Sequence, residues 1–166
     1  MNNRTTETRA GAKLVARSPA MQRVIKLADR AAPTEATVLV TGESGTGKEL
    51  VARALHESSS RAGKAFIKVN CAAIPRDLME SELFGYKRGA FSGAHRDKPG
   101  LIKSAHEGTL LLDEVAEMSP AMQARLLRVL QEGEIRPVGA DATRSVDVRL
   151  VCATHGDLRA RVAEGR

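Results

Sequence analysis

Apolar residues recur along this chain at two spacings, and the two alternate. The segment SPAMQRVIKLADRAAP carries Met21, Val24, Ile25 and Ala28 at helical intervals. Ser18 stands where a helix cap belongs, Pro19 at the first helical position, and Pro33 beyond the end, so a helix is predicted here. ATVLVT (36–41) is a short apolar run that reads as a buried strand entering a glycine-rich loop. KELVARALHESS returns to helical spacing, with Leu50, Val51, Ala54 and Leu55 predicted on one face. AFIKVN (65–70) is strand-like, and PRDLMESELFG (75–85) predicts a short helix stopped by Gly85. GTLLLDEV (108–115) reads as an apolar strand ending in two acids. SPAMQARLLRVLQEG (119–133) has a Ser-Pro start and a glycine stop, the clearest helix signal in the chain. DVRLVCAT (147–154) predicts a further strand, and DLRARVAEG the start of another helix.

Apolar strands alternating with amphipathic helices predict an α/β fold, a mostly parallel sheet covered on both faces. Ligands of such sheets bind beyond the carboxyl ends of the strands, where the distinctive residues of this sequence fall. Residues 1–13 are polar and are expected to form a loose tail. No repeat or low-complexity segment interrupts the rest.

Composition changes this picture little. Hydrophobic residues make up 42% of 166, enough for one packed core. No apolar run approaches the roughly 18 residues of a membrane span, and no apolar segment follows the N-terminal charges as in a secretory signal. A net charge of +6 invites a nucleic-acid reading. With no Trp, one Tyr and basic residues scattered along the chain, solvated surface charge accounts for it better. Cys71 and Cys152 match no metal spacing and are expected to be buried thiols of a reducing, cytoplasmic protein.

The chemistry begins at TGESGTGKEL. Gly42, Glu43, Ser44, Gly45, Thr46, Gly47, Lys48 and Glu49 contain the G-x-x-x-x-G-K pattern between a predicted strand and a predicted helix. Glycines let backbone N–H groups turn inward around phosphate oxygens, and the helix start adds its positive end. Lys48 would then pair with the β- and γ-phosphates. Glu49 takes the place of the usual hydroxyl residue. At LLLDE, Asp113 would hold Mg²⁺, directly or through water, and Glu114 would polarise an attacking water. A plain phosphate-loop protein has no need of FGYKRGAFSGAHRDKPG (84–100), where Phe91 lies among small residues. Glycines on both sides suit a hinged loop that presents an aromatic tip. A Phe folded back over the core fits the same residues.

GESGTGKE, VNCAAIP, ESELFGYKRGAFSGA, GTLLLDEV, LLRVLQEGEIRPVGA and VDVRLVCAT, in that order, resemble the sigma-54-dependent transcriptional activators, or bacterial enhancer-binding proteins. The resemblance runs from about Leu14 to the end of the chain. It implies the three-layer sandwich of an AAA+ P-loop NTPase, with ATP and Mg²⁺ as cofactors. Glu after the lysine is common in this family, and the Glu49 carboxylate is itself a hard oxygen ligand suited to Mg²⁺. By resemblance, Asp113 and Glu114 form the Walker B pair, and Asn70 is the asparagine that restrains the catalytic glutamate. Thr154 and His155 occupy the γ-phosphate sensor position, with His155 where the family usually has Asn. Gly89, Ala90, Phe91, Ser92, Gly93 and Ala94 resemble the loop that contacts sigma-54, with Phe91 as the contact and Ser92 in place of the usual Thr. The segment EIRPVGADATRSVDVR resembles a second loop that moves with the first.

Such proteins form rings, usually hexamers, in which a neighbour's arginine completes each ATP site, and hydrolysis remodels the RNA polymerase holoenzyme. The family pattern continues past this chain into an arginine-finger segment, a second sensor and a helical lid. The expectation is therefore an α/β core without its C-terminal lid, with DNA binding left to a domain outside this sequence and no membrane contact. Two other readings remain: a nucleotide-binding module with little turnover, and a different AAA+ machine, against which the Phe91 loop argues.

Overall fold

The computed structural model describes residues 17–165. The expected tail at 1–13, the start of the resemblance at Leu14, and Arg166 lie outside the described residues. Helix α1 (Pro19–Ala31) opens as the sequence predicts, the Ser18 hydroxyl accepting the Met21 N–H at 3.2 Å. It is followed by β1 (Val38–Thr41), α2 (Lys48–Glu57), β2 (Phe66–Asn70) and α3 (Arg76–Phe84). A two-residue strand β3 (Gly85–Tyr86) pairs antiparallel with β4 (Lys98–Pro99), and α4 (Leu101–Ser104) leads to β5 (Thr109–Asp113). Helix α5 (Pro120–Glu132) is capped by Ser119 and ends at Gly133 in the left-handed region, φ 64°. A second small ribbon, β6 (Glu134–Ile135) with β7 (Arg144–Ser145), precedes β8 (Arg149–Thr154) and α6 (Leu158–Ala163).

The main sheet has the order β1-β8-β5-β2, and its strands are all parallel. Side-chain alternation divides the core into two layers. Leu111, Val151 and Ala153 pack with Val51, Ala52 and Leu55 of α2 and with Ala32 after α1. Leu110, Leu112, Leu150 and Cys152 face the other way, onto Met79 and Leu83 of α3, Ile102 of α4, and Met122 and Leu126 of α5. The result is the expected three-layer sandwich. Burying both faces of β5 and β8 explains why they read as apolar runs rather than alternating ones.

The structure corrects the sequence reading in four places. Leu50 is half exposed, because α2 packs through Val51, Ala52 and Leu55 and Leu50 lies a quarter-turn away. Val24 points outward for the same reason, its neighbour Ile25 taking the buried position. The strand expected over 108–115 stops at Asp113, and Glu114 adopts φ 55° before a 3-10 turn over Val115–Glu117. The two ribbons were not foreseen, since two-residue strands are too short to show a period. Cys71 and Cys152 are buried free thiols as expected, and burial pushes their pKa values up to about 12 and about 11.

Candidate nucleotide site and contact loop

At the carboxyl end of the sheet, β1 delivers the loop that precedes α2. Gly45 and Gly47 have φ values of 78° and 87°, which side-chain-bearing residues rarely adopt. This turn leaves the backbone N–H groups of Ser44, Gly45, Gly47 and Lys48 without a protein acceptor among the described residues. Unpaired donors at the start of a ten-residue helix are a ready anion site. The Lys48 ammonium is buried and lies inside the loop, donating to the carbonyls of Gly42 at 2.9 Å and Glu43 at 3.0 Å. The Thr46 hydroxyl donates to the Glu43 carbonyl, so it braces the loop.

β5 and β8 bring the remaining groups alongside. The Asp113 Oδ1 accepts the Glu114 N–H at 3.1 Å, and Asp113 is level with Asn70 of β2. The left-handed turn at Glu114 swings its carboxylate across the sheet edge. There Oε1 is 3.9 Å from the Lys48 Nζ, while Oε2 accepts the His155 backbone N–H at 3.2 Å and lies 2.7 Å from the His155 Nδ1. Partial burial pushes the Glu114 carboxyl up, but the hydrogen bonds from His155 and the nearby His155 and Lys48 charges leave it below its ordinary value. Thr154 is fully buried; its hydroxyl accepts the Gly156 N–H and its carbonyl the Gly42 N–H, so β8 fixes the base of the phosphate loop. A cleft of about 530 Å³ lined by Thr41, His155, Gly156 and Asp157 opens beside these groups.

Lys48, Asp113, Glu114 and His155 are thus brought together. Asn70 does not reach Glu114; its side-chain oxygen accepts the Ala72 N–H at 3.0 Å. Glu49 is drawn to Lys68 of β2, 2.6 Å away, rather than toward Asp113. Sequence reasoning missed this partner, although Lys68 alternates with Ile67 and Val69 and must face α2. It also missed Arg161 of α6, which donates to the Ala116 carbonyl at 2.6 Å and holds the turn after Glu114. Among the described residues no three His, Cys, Asp or Glu side chains gather as a metal cage. That donor set fits Mg²⁺ held by Asp113 together with phosphate and water oxygens.

The Gly89–Ala94 loop stands on the β3–β4 ribbon. Gly89 has φ 82°, and its N–H donates to the Ala94 carbonyl at 2.8 Å, closing the loop. Phe91 is 44% exposed and rests edge-on against Tyr86 at 4.9 Å between ring centroids. It is therefore neither in the core nor fully free. Asp97 clamps the loop base, pairing with the Lys87 ammonium and accepting the Arg88 N–H. The second loop meets the first directly. Val138 exchanges hydrogen bonds with Gly85 and Lys87, and Gly139 packs so closely that a Cβ there would lie 2.7 Å from that of Ala90.

The sequence profile described as the sigma-54 interaction domain matches residues 14–166. The chain belongs to the sigma-54 interaction domain family. Among relatives, this sigma-54 interaction domain is 59% identical over 146 residues to the hydrogenase transcriptional regulatory protein HoxA of Bradyrhizobium diazoefficiens, covering 88% of this chain and 30% of that protein. It is 54% identical to the transcriptional regulatory protein ZraR of Escherichia coli, covering 92% of this chain and 35% of the relative. The chain thus spans about a third of the length of these curated relatives. The crystal structure of NtrX from Brucella abortus in complex with ATP superposes with a TM-score of 0.83 at 43% identity, covering 92% of this chain and 32% of that one. The P-loop NTPase domain of the sigma-54 transport activator from E. coli superposes at 0.58 with 18% identity over 90% and 84% of the two chains, a likeness of fold. The fold is that of a P-loop NTPase, and no helix among the described residues is long and apolar enough to cross a membrane.

Proposed function

We propose that this domain binds ATP with Mg²⁺ and couples its hydrolysis to remodelling of the sigma-54 RNA polymerase holoenzyme, in the cytoplasm and as part of a ring. The observation that carries this reading is the convergence of a donor-lined glycine loop, Lys48, Asp113 and Glu114 at one sheet edge, in a chain that also bears the Gly89–Ala94 loop. The N–H groups of residues 44–48 receive phosphate oxygens, and Lys48 exchanges the carbonyls of Gly42 and Glu43 for phosphate. Asp113 holds Mg²⁺, which when bound neutralises phosphate charge. Glu114 orients the attacking water and accepts its proton. Phe91, standing on Tyr86, is the contact offered to sigma-54, and Val138 and Gly139 transmit motion of one loop to the other.

The test is capture of sigma-54 by the purified chain with a transition-state nucleotide complex, alongside calorimetric nucleotide binding. Phe91→Ala is expected to abolish capture and leave nucleotide affinity unchanged, since the ring is half exposed and its ring partner is Tyr86 rather than a residue of the phosphate loop. Undiminished capture by that variant would refute the contact role.

A further inference from the structure

Resting on the reading that the Gly89–Ala94 loop meets sigma-54, we propose that the basic pocket at the base of that loop is a second docking point. It takes an apolar side chain of sigma-54 that has carboxylates beside it. The pocket has a volume of about 190 Å³ and lies between the two small ribbons. Buried Phe84 and Ile135 and half-buried Tyr86 and Pro137 form its inner wall. Lys87, Lys98, Lys103 and Arg144 also line it, against one acid, Asp97. Tyr86 is the ring on which Phe91 rests, so the pocket and the loop tip share a wall.

The fold does not balance the charge in this pocket. Asp97 spends its two oxygens on the Lys87 ammonium and the Arg88 N–H. Those hydrogen bonds, and then the Lys87 and Arg144 charges, hold its carboxyl below its ordinary value. Lys98 pairs with Glu82 of α3, at 2.6 and 2.8 Å. Lys103 and Arg144 are exposed and have no acidic partner among the described residues. The neighbouring cavity of about 570 Å³ is different: there Glu80, Glu132, Glu134 and Asp141 face Arg125, Arg128 and Arg136. Of the two, the smaller pocket alone carries surplus positive charge. Its size, wall and rings choose the partner. It falls below the roughly 300 Å³ at which small-molecule pockets begin, so it admits a single side chain. An apolar wall with charges at the mouth follows the plan of a protein–protein contact. Neither ring is free to stack on a nucleic-acid base, since Tyr86 meets Phe91 and the Arg125 guanidinium covers Phe84 at 4.1 Å. Carboxylates beside the inserted side chain would meet Lys103 and Arg144 and fix its register.

Two measurements on the whole chain with a transition-state nucleotide complex test this. In the first, Lys103→Glu combined with Arg144→Glu is expected to weaken sigma-54 binding about tenfold, and Lys103→Gln combined with Arg144→Gln about threefold. Reversing exposed Arg23 and Lys26 on α1 in the same way should change binding by less than about twofold. In the second, a zero-length carbodiimide reagent should join Lys103 to an Asp or Glu of sigma-54 that neighbours an apolar residue, as located by mass spectrometry. Capture without that cross-link, or equal losses from the α1 and pocket reversals, overturns the proposal. So does an equal loss of affinity for random-sequence duplex DNA, which would make the pocket a general polyanion surface. Phe91→Ala keeps the two readings apart. Capture that depends on Phe91 but not on the pocket cations overturns the pocket and leaves the loop contact standing. Capture that depends on the cations alone does the reverse. A chain that captures no sigma-54 in any nucleotide state overturns both.

Discussion

The two ends of the parallel sheet both gather charged side chains, and they use them differently. At the amino end, Arg149 at the start of β8 is buried, and its guanidinium donates to the carbonyls of Ala31 and Ala32 at 2.8 and 2.7 Å, closing the C-terminus of α1. Arg61 joins Glu35, Asp147 and the Gly108 carbonyl, so that one guanidinium ties together three segments. His56 and Thr109 bond to each other in the core at 2.9 Å. Most of these partners are backbone carbonyls or side chains that the fold brings together whether or not anything binds. At the carboxyl end, Lys48 borrows loop carbonyls and Glu114 borrows a half-exposed histidine. On the proposed reading, the partners there are ones that phosphate replaces. A charge cluster is structural where its partners belong to the fold, and functional where they are exchangeable.

Arg149→Met breaks this comparison most severely. The substitution keeps the stem's apolar bulk but removes the donors that satisfy two carbonyls at the helix end. A loss of about 3 kcal/mol of unfolding free energy is expected. Urea denaturation measures it, and the folded fraction should bind nucleotide as the parent does. A variant as stable as the parent would show that the amino-end cluster is dispensable. Lys48→Ala is the converse change. It should weaken ATP binding by about a hundredfold, in keeping with a charged hydrogen-bonding group worth about 2–3 kcal/mol. Stability should move by less than about 1 kcal/mol, since Lys48 donates to carbonyls of an otherwise exposed loop and its ion pair with Glu114 is long, at 3.9 Å. Calorimetry and urea denaturation on the same preparation separate the two effects.

The carboxyl end was legible in the sequence because a phosphate loop needs particular residues at fixed offsets. Gly47 and Lys48 must follow a strand and open a helix, and Asp113 must end one. Arg149 carried no such mark. In DVRLVCAT it looks like a polar residue at a strand entrance, and only the position of the end of α1 reveals what it caps. Lys68 was hidden in the same way, because a lysine in FIKVN gives no sign of the glutamate on the helix above it. The layers of the sandwich were legible from periodicity, since Leu111 and its neighbours in LLLD are needed on both faces. The burial of single positions such as Val24 and Leu50 was not, because a helix pattern marks a face wider than the actual contact.

A smaller change sharpens the comparison at the Gly89–Ala94 loop. Ser92→Thr adds a methyl next to Phe91 without removing the hydroxyl. If that methyl is buried against sigma-54, one such group is worth about 0.8 kcal/mol, or about a fourfold gain in affinity. Nucleotide affinity should stay the same. Titration of labelled sigma-54 against both forms reads the difference, and weaker binding by the threonine form would place Ser92 outside the contact.

The smallest effect is expected at the amino end, where Glu107 pairs with Lys64 at 2.7 Å on an exposed surface. The Lys64 hydrogen bond, then its charge and that of His106, hold the Glu107 carboxyl below its ordinary value. A carboxyl lowered by folding contributes stability while it is ionised, above its unfolded value of about 4.3, and loses that contribution as the pH falls through its folded value. Glu107→Gln keeps the left-handed backbone strain at φ 61° and removes only the charge. The melting temperatures of the two proteins should therefore differ slightly at pH 6. They should converge as the pH drops below about 4, and added salt at pH 6 should shrink the gap, as screening of an exposed pair requires. A gap that persists unchanged into acid would mean that Glu107 acts through the Asp147 carbonyl its N–H contacts, and not through Lys64.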